Sequence, residues 1–223
     1  PGSLIHVGEM KEHAPRITVF DYDKTTLEEK EVQTVEECFP FKDKPTVTWI
    51  NIDGIHDPEV IGRLGKHFGF HPLLLEDIMN TEQRPKTDDF GDHIFIVLKM
   101  IEYRGVNIKT EQISLIVGKN FVISFQENMG DTFDNIRERI RKSKGKVRTQ
   151  GSDYLAYVLI DTIVDDYFLA LEKISGKIED IENDLLTAPS TETIKTIHEL
   201  KRGMIYLRKS IWPLREVVYN LER

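Results

Sequence analysis

At 223 residues, with a net charge of −8 and one cysteine, the chain can hold one sizeable core plus an appendage, or two small domains. The negative balance argues against a nucleic-acid partner, whose phosphates require a basic surface; the lone Cys38 excludes an internal disulfide and suits a reducing compartment. No window reaches the roughly 18 consecutive apolar residues that span a bilayer; the best run, Tyr154 to Val164, is interrupted by Asp161, and no signal peptide is legible.

Pro1-Gly2-Ser3 reads as a cleavage scar and stands outside the fold. Arg16 to Tyr22 alternates apolar and polar residues, as a strand does, and Val47 to Ile52 follows as a second strand. Asp57-Pro58 opens a helix, with the carboxylate as cap and proline at the first helical position, and Gly69 closes it. His71-Pro72 opens a short helix running to about Asn80, apolar except for Glu76-Asp77. Ile94 to Ile101 has the nearly unbroken apolar run of a strand buried on both faces. Gln112 to Val117 and Phe121 to Gln126 form a hairpin around Gly118-Lys119-Asn120. Asp131 is expected to cap a helix from Thr132 to Lys144, with Phe133, Ile136 and Ile140 inward and Gly145 at its end. The basic run Arg137, Arg139, Arg141, Lys142, Lys144, Lys146 and Arg148 reads as a solvated face. Hairpins and consecutive helices exclude a simple parallel βαβ repeat, so the body is α/β (α+β) with mixed strand directions.

From Ser152 to Arg223 the pattern changes to two very long helices. Leu155, Leu159, Ile163, Asp166, Ala170, Ile174, Ile178, Ile181 and Leu185 trace one stripe; Ile194, Ile197, Leu200, Met204, Leu207, Ile211, Leu214, Val218 and Leu221 trace the other. Rods of this length are expected to project from a compact body and to need a partner along the seam. Pro189 stops the first and Ser190 caps the second, so the two pack antiparallel; Pro213 kinks the second near Lys209. The helical pattern still runs at Glu222-Arg223, with no cap, as in a chain cut before its next segment.

Three features bear on chemistry. Asp21-Tyr22-Asp23-Lys24-Thr25 resembles the first motif of haloacid-dehalogenase-type phosphatases, in which one Asp attacks phosphorus beside Mg²⁺. Lys24 stands where that family has glycine, and the acidic Glu28-Glu29-Lys30-Glu31 follows, so a strand ending in a polar turn is the better reading. His67 and His71 are four apart, but Gly69 and Pro72 break the helix that would align them on zinc. Asp161, Asp165, Glu172 and Glu179 form an acidic stripe on the first rod, away from its apolar seam. Such a stripe is either a solvated face or a set of oxygen ligands for a hard divalent ion, because close carboxylates repel unless a cation bridges them.

Several motifs, in one order, are similar to the cytoplasmic region of CorA-type magnesium channels. They are His71-Pro72-Leu73-Leu74-Leu75-Glu76-Asp77-Ile78 followed by Gln83-Arg84-Pro85-Lys86; Tyr154-Leu155, Asp161 and Val164-Asp165-Asp166-Tyr167-Phe168; and Leu200-Lys201-Arg202 through Ile211-Trp212-Pro213-Leu214-Arg215-Glu216. The resemblance covers nearly the whole chain, most strongly from His71 onward. It implies a three-layer α/β/α body with a mixed sheet over residues 4–150, then an antiparallel hairpin of two long helices over residues 151–223. A stalk helix and two membrane helices would follow. It further implies no enzymatic activity, a pentameric homo-oligomer in the cell (inner) membrane, and a cytoplasmic placement for this segment. Mg²⁺ is implied as regulatory and transported ion, with Co²⁺ beside it; Ni²⁺ and Zn²⁺ stay open, because a zinc-transporting branch shares the architecture. Asp77 is implied as the primary regulatory ligand, its partner acid coming from a neighbour's stalk helix. Glu76 and Asp161 are implied for a secondary site, and Asp165 joins them from the acidic stripe. Mg²⁺ held between subunits would cancel carboxylate repulsion and keep the ring closed. Against this stand two further readings, a Mg²⁺-dependent phosphatase and a helical adaptor with no ion chemistry.

Overall fold

The computed structural model describes residues 14–104, 107–188 and 190–221. Pro1-Gly2-Ser3, Pro189, expected to stop the first rod, and the final Glu222-Arg223 lie outside the described residues. Seven strands form one sheet: β1 (Arg16–Tyr22), β2 (Leu27–Val32), β3 (Val47–Asp53), β4 (Lys86–Asp89), β5 (His93–Arg104), β6 (Asn107–Gly118) and β7 (Phe121–Gln126), in the order β2-β1-β3-β7-β6-β5-β4. Among the described residues, β3 and β7 pair parallel and every other neighbouring pair is antiparallel.

Both edge strands escape the sequence reading, for one reason. Their residues, Leu27-Glu28-Glu29-Lys30-Glu31-Val32 and Lys86-Thr87-Asp88-Asp89, are charged rather than apolar. Charges at a sheet edge discourage pairing with a further chain, so polarity here marks the edge and not a loop. The β1–β2 turn is built by Asp23, whose carboxylate accepts from the backbone N–H groups of Thr25 and Thr26, each at 2.6 Å.

Helix α1 (Pro58–Phe68) starts as its sequence dictates: Asp57 accepts from the N–H groups of Glu59 and Val60, and Gly69 closes it at φ +81°. Helix α2 (Pro72–Met79) opens on His71, whose Nδ1 accepts from Leu73 N–H at 3.2 Å. Helix α3 (Asp134–Arg141) is shorter than the expected Thr132 to Lys144. Asp131 does accept from Phe133 N–H at 2.8 Å, but Phe133 sits fully buried with non-helical backbone (φ −94°, ψ 7°), and the helix begins after it. Ser143, at φ +51°, ends the run before Gly145.

Two clusters of buried apolar side chains lie on opposite faces of the sheet, as period-2 alternation requires. Ile17, Val19, Ile50, Ile52 and Ile123 face one way, against Ile61 and Leu64 of α1 and Leu74 and Ile78 of α2. Phe20, Trp49, Leu98, Leu115 and Val122 face the other, against Ile136 and Ile140 of α3 and the long helices α4 (Ser152–Thr187), α5 (Thr191–Ile211) and α6 (Leu214–Leu221). The result is three layers, α/β/α.

The rods do not stand free of the body. The 12-residue strands β5 and β6 run out beneath them, and Met100, Ile101 and Ile108 share a cluster with Ile163, Ala170, Ile174, Leu200 and Leu207. On α4, Leu155, Leu159, Ile163, Ala170, Ile174 and Ile181 face inward as expected; Tyr167 rather than the half-buried Asp166 joins them, its hydroxyl donating to Lys99 C=O, and Ile178 and Leu185 are exposed. On α5 and α6 the expected stripe holds at Leu200 and Leu207, with Ile211 and Leu214 partly buried against the same cluster, and fails at Ile194, Ile197, Met204, Val218 and Leu221. Ile194, Ile197 and Met204 are exposed, while Thr193, Leu200, Gly203, Leu207 and Ser210 are buried. Small residues face the sheet because the backbone comes close: a Cβ on Gly203 would sit 3.0 Å from Ile108 Cδ1. Pro213 breaks the second rod outright, α5 ending at Ile211 and α6 beginning at Leu214.

Candidate functional site

The phosphatase-like motif dissolves into structure. Asp21 is buried and fully engaged, accepting from Thr46 Oγ1 at 2.6 Å, Thr48 Oγ1 at 2.7 Å and Lys44 Nζ at 2.9 Å. Asp23 is consumed by its turn, and those hydrogen bonds hold its carboxyl down to about 2. Asp21 is thus closed to a substrate, and Asp23 is tied to its turn through Oδ1. His67 and His71 diverge as expected, one stacked on Phe39 and the other capping α2. The basic run is largely neutralised or tied down: Arg137 pairs with Asp131, Arg141 with Glu29 and Glu138, Lys142 with Glu138, and Arg148 donates to the carbonyls of Asp23 and Thr26. Cys38 is buried, and burial pushes its thiol up to about 12.

Glu76 and Asp77 occupy the last turn of α2, both half-buried. Asp77 is held from within the chain. Its Oδ1 accepts from Gln83 Nε2 at 2.8 Å and its Oδ2 from Lys86 Nζ at 2.5 Å. Lys86 also meets Asp88 at 3.1 Å. Burial alone lowers the Lys86 pKa, but hydrogen bonds to Asp77 and Asp88 outweigh it, and the ammonium is held above its ordinary value. Gln112 of β6 fixes the backbone around this turn, donating to the carbonyls of Asp77 and Asn80. These partners, Gln83, Lys86 and Gln112, are missing from the sequence reading of the site. The signal for two of them was present in Gln83-Arg84-Pro85-Lys86, which follows the acidic pair by six residues.

Asp161 and Asp165 lie one turn apart on α4, both exposed, with Glu172 and Glu179 further along the same helix and also exposed. Helix α4 packs on one face of the sheet and α2 on the other. One chain therefore does not bring Glu76 and Asp77 together with Asp161 and Asp165. Among the described residues, no three Asp, Glu, His or Cys side chains converge as a metal site. An ion that used both acid pairs would need two copies of the chain.

Fold and site together define a three-layer α/β/α domain carrying a long helical hairpin, with two acid pairs facing apart. A family model described as "CorA-like Mg2+ transporter protein" matches residues 45–223, and the chain belongs to that family, whose members are transporters rather than enzymes. It is 48% identical over 225 residues to the cobalt/magnesium transport protein CorA of Thermotoga maritima, covering 100% of this chain and 64% of that protein. The chain thus spans less than two thirds of that relative. Its fold is that of the soluble domain of CorA from Methanocaldococcus jannaschii (TM-score 0.72, 19% identity, 93% of this chain and 79% of that one). The ZntB cytoplasmic domain from Vibrio parahaemolyticus is similar more distantly (TM-score 0.61, 16% identity, 92% and 81% covered). Among the described residues, no helix is long and apolar enough to cross a membrane.

Proposed function

We propose that this chain is the regulatory domain of a CorA-type divalent-cation channel, and that it reads intracellular Mg²⁺ through carboxylates shared between subunits. One observation carries the reading: the two acid pairs lie on opposite faces of one chain, so that an ion bridging them joins neighbouring copies. Asp77 is the primary ligand. Glu76, Asp161 and Asp165 supply the secondary set. Carboxylates brought close across a subunit boundary repel one another, and a divalent ion between subunits reverses that sign. The ion biases gating only by binding the closed arrangement better than the open one.

Lys86 sets the threshold. Its ammonium already sits on Asp77, so Mg²⁺ has to displace it, which weakens binding and keeps the site responsive at high ion concentration. Exposed apolar residues along the rods, among them Phe168, Leu169, Leu171, Leu186, Ile194 and Met204, support a homo-oligomer, which we take to be the pentamer the resemblance implies. Mg²⁺ and Co²⁺ as cargo rest on the named T. maritima relative. The resemblance implies that membrane helices follow this segment, and we take the segment itself to be cytoplasmic.

The test is Asp77→Asn in a chain carrying the membrane helices, with uptake measured against internal Mg²⁺. Loss of the inhibition by internal Mg²⁺ is expected; an unchanged response overturns the reading. For the 223-residue chain by itself, calorimetry should give a Mg²⁺ affinity in the millimolar range or weaker. A tight micromolar site would mean that one chain completes the site.

A further inference from the structure

Two adjoining hollows lie between the 80–85 loop and the α5–α6 junction, with volumes of about 790 and 720 Å³. They share Arg84, Trp212 and Pro213 and so form one cleft. Each hollow is within the size range of small-molecule sites, roughly 300–1,000 Å³. Its walls carry five cations, Arg84, Lys99, Arg208, Lys209 and Arg215, against two acids, Glu82 and Glu216. This is a local excess of positive charge on a chain whose net charge is −8.

The excess is not neutralised from within. Among the described residues, Arg84, Arg208, Lys209 and Arg215 make no ion pair, whereas Arg137, Arg141 and Lys142 of the basic helix each have a carboxylate. Arg208 and Lys209 stand in the last turn of α5, where a cation suits the helix C-terminus, so their presence has a local cause. Arg84 and Arg215 have no such cause, and Lys99 is held by hydrogen bonds to the chain. They arrive from the 80–85 loop, α6 and β5; Lys99 lines the first hollow, Arg215 the second, and Arg84 both.

Lys99 is the most enclosed of the five. Its Nζ donates to Thr81 C=O at 2.7 Å and to Gln112 Oε1 at 3.3 Å, which leaves one of its three N–H bonds. Burial holds its pKa down, against the pull of Glu127 and Glu82, and an incoming anion would pull it back up. At the other end Trp212 is 81% exposed, an indole face presented at the mouth of the cleft by the break at Pro213. Tyr206 lines the same space. Guanidinium groups take phosphate oxygens bidentately, and an exposed indole stacks on a nucleobase.

We propose that this cleft binds a nucleoside polyphosphate, with Arg84, Lys99, Arg208 and Lys209 on the phosphates and Trp212 against the base. The inference is independent of the ion reading, since none of these residues is a proposed metal ligand.

The chain has two tryptophans, and Trp49 is fully buried, so quenching of the emission reports on Trp212. ATP, ADP, adenosine and tripolyphosphate are titrated into the 223-residue chain in Mg²⁺-free buffer with chelator. ATP should quench saturably, and tripolyphosphate should compete with it. Adenosine should bind about tenfold more weakly or worse. Arg84→Ala and Arg208→Ala change exposed side chains and should each weaken ATP about tenfold, while Lys144→Ala, an exposed lysine away from the cleft, should change nothing. By calorimetry, Trp212→Ala should bind ATP and tripolyphosphate alike. No saturable quenching up to millimolar ATP, or full ATP binding in both arginine variants, overturns the site. Equal affinity for ATP and tripolyphosphate in the unaltered chain overturns the nucleotide assignment.

Discussion

Beneath the α3–α4 face, Trp49 Nε1 donates to Ser124 Oγ at 2.9 Å, Ser124 donates to Asn51 Oδ1 at 2.5 Å, and Asn51 Nδ2 donates to Asp53 Oδ1 at 2.7 Å. Burial, and then the nearby Asp131 carboxylate, push Asp53 up to about 6, with Asn51, Arg137 and Arg16 pulling the other way. The folded state therefore keeps a proton that the unfolded chain has already released. Stability is fullest below the ordinary carboxylate pKa and falls as pH rises towards about 6. Asp53→Asn should remove this slope. It should gain about 2 kcal/mol above pH 6 in urea unfolding and nothing at pH 4. Asp21 has the opposite role. Asp21→Ala strands the hydroxyl of fully buried Thr48 and the Lys44 ammonium, and should cost about 2 kcal/mol in the same measurement. Both effects depend on partners 27 or more residues away from at least one member of each network. Asp21 and Asp23 resemble a phosphatase motif, and the better reading of a strand ending in a polar turn rests on Lys24 and the acidic run after it, because nothing local shows that Thr46, Thr48 and Lys44 close over Asp21.

The elements that sequence located best are those whose start and stop are local. Asp57-Pro58 and Gly69 delimit α1 by hydrogen bonds and φ angles within a few residues, and β6–β7 follows from its Gly-Lys-Asn loop. Helix α5 was located, and Leu200 and Leu207 face inward as expected. Its inward face also carries Thr193, Gly203 and Ser210, while Ile194, Ile197 and Met204 face out, so hydrophobicity alone did not set the whole stripe. A paired substitution tests the rotation. Gly203→Val should cost about 1–3 kcal/mol, since even its Cβ meets Ile108 at 3.0 Å. Gly176→Ala on α4, with nothing within 4 Å of the added Cβ, should gain about 1 kcal/mol from helix propensity alone. If Gly203→Val unfolds at the same denaturant concentration as the parent chain, α5 does not rest on β6 as described.

For the molecule as a whole, the sheet separates Glu76 and Asp77 from Asp161 and Asp165, and that separation makes the proposed ion a connector of subunits rather than a stabiliser of one. Mg²⁺ should accordingly do little for the isolated chain. At a concentration equal to its dissociation constant it adds about 0.4 kcal/mol, which for a chain of this size moves the melting midpoint by about 1 °C. Lys86→Gln removes the ammonium competing for Asp77 and should enlarge the Mg²⁺-dependent shift, read by differential scanning calorimetry, while Asp77→Asn should abolish it. An equal shift in all three chains would place the ion elsewhere.

Sequence by itself determined the succession of strands and helices wherever a cap, a turn residue or an apolar period acts over a few positions. Through the order of its motifs it also pointed to the CorA family and to Glu76, Asp77, Asp161 and Asp165 as acids to watch. Only tertiary structure decided that two charged segments are sheet edges, that α5 turns its small residues inward, that Lys86 and Gln83 already occupy Asp77, and that the acid pairs face apart. The physical reason is range: hydrogen-bonded caps and turns are closed by near neighbours, whereas edge position, close backbone approach and the charge around a carboxylate are set by residues that meet only when the sheet assembles.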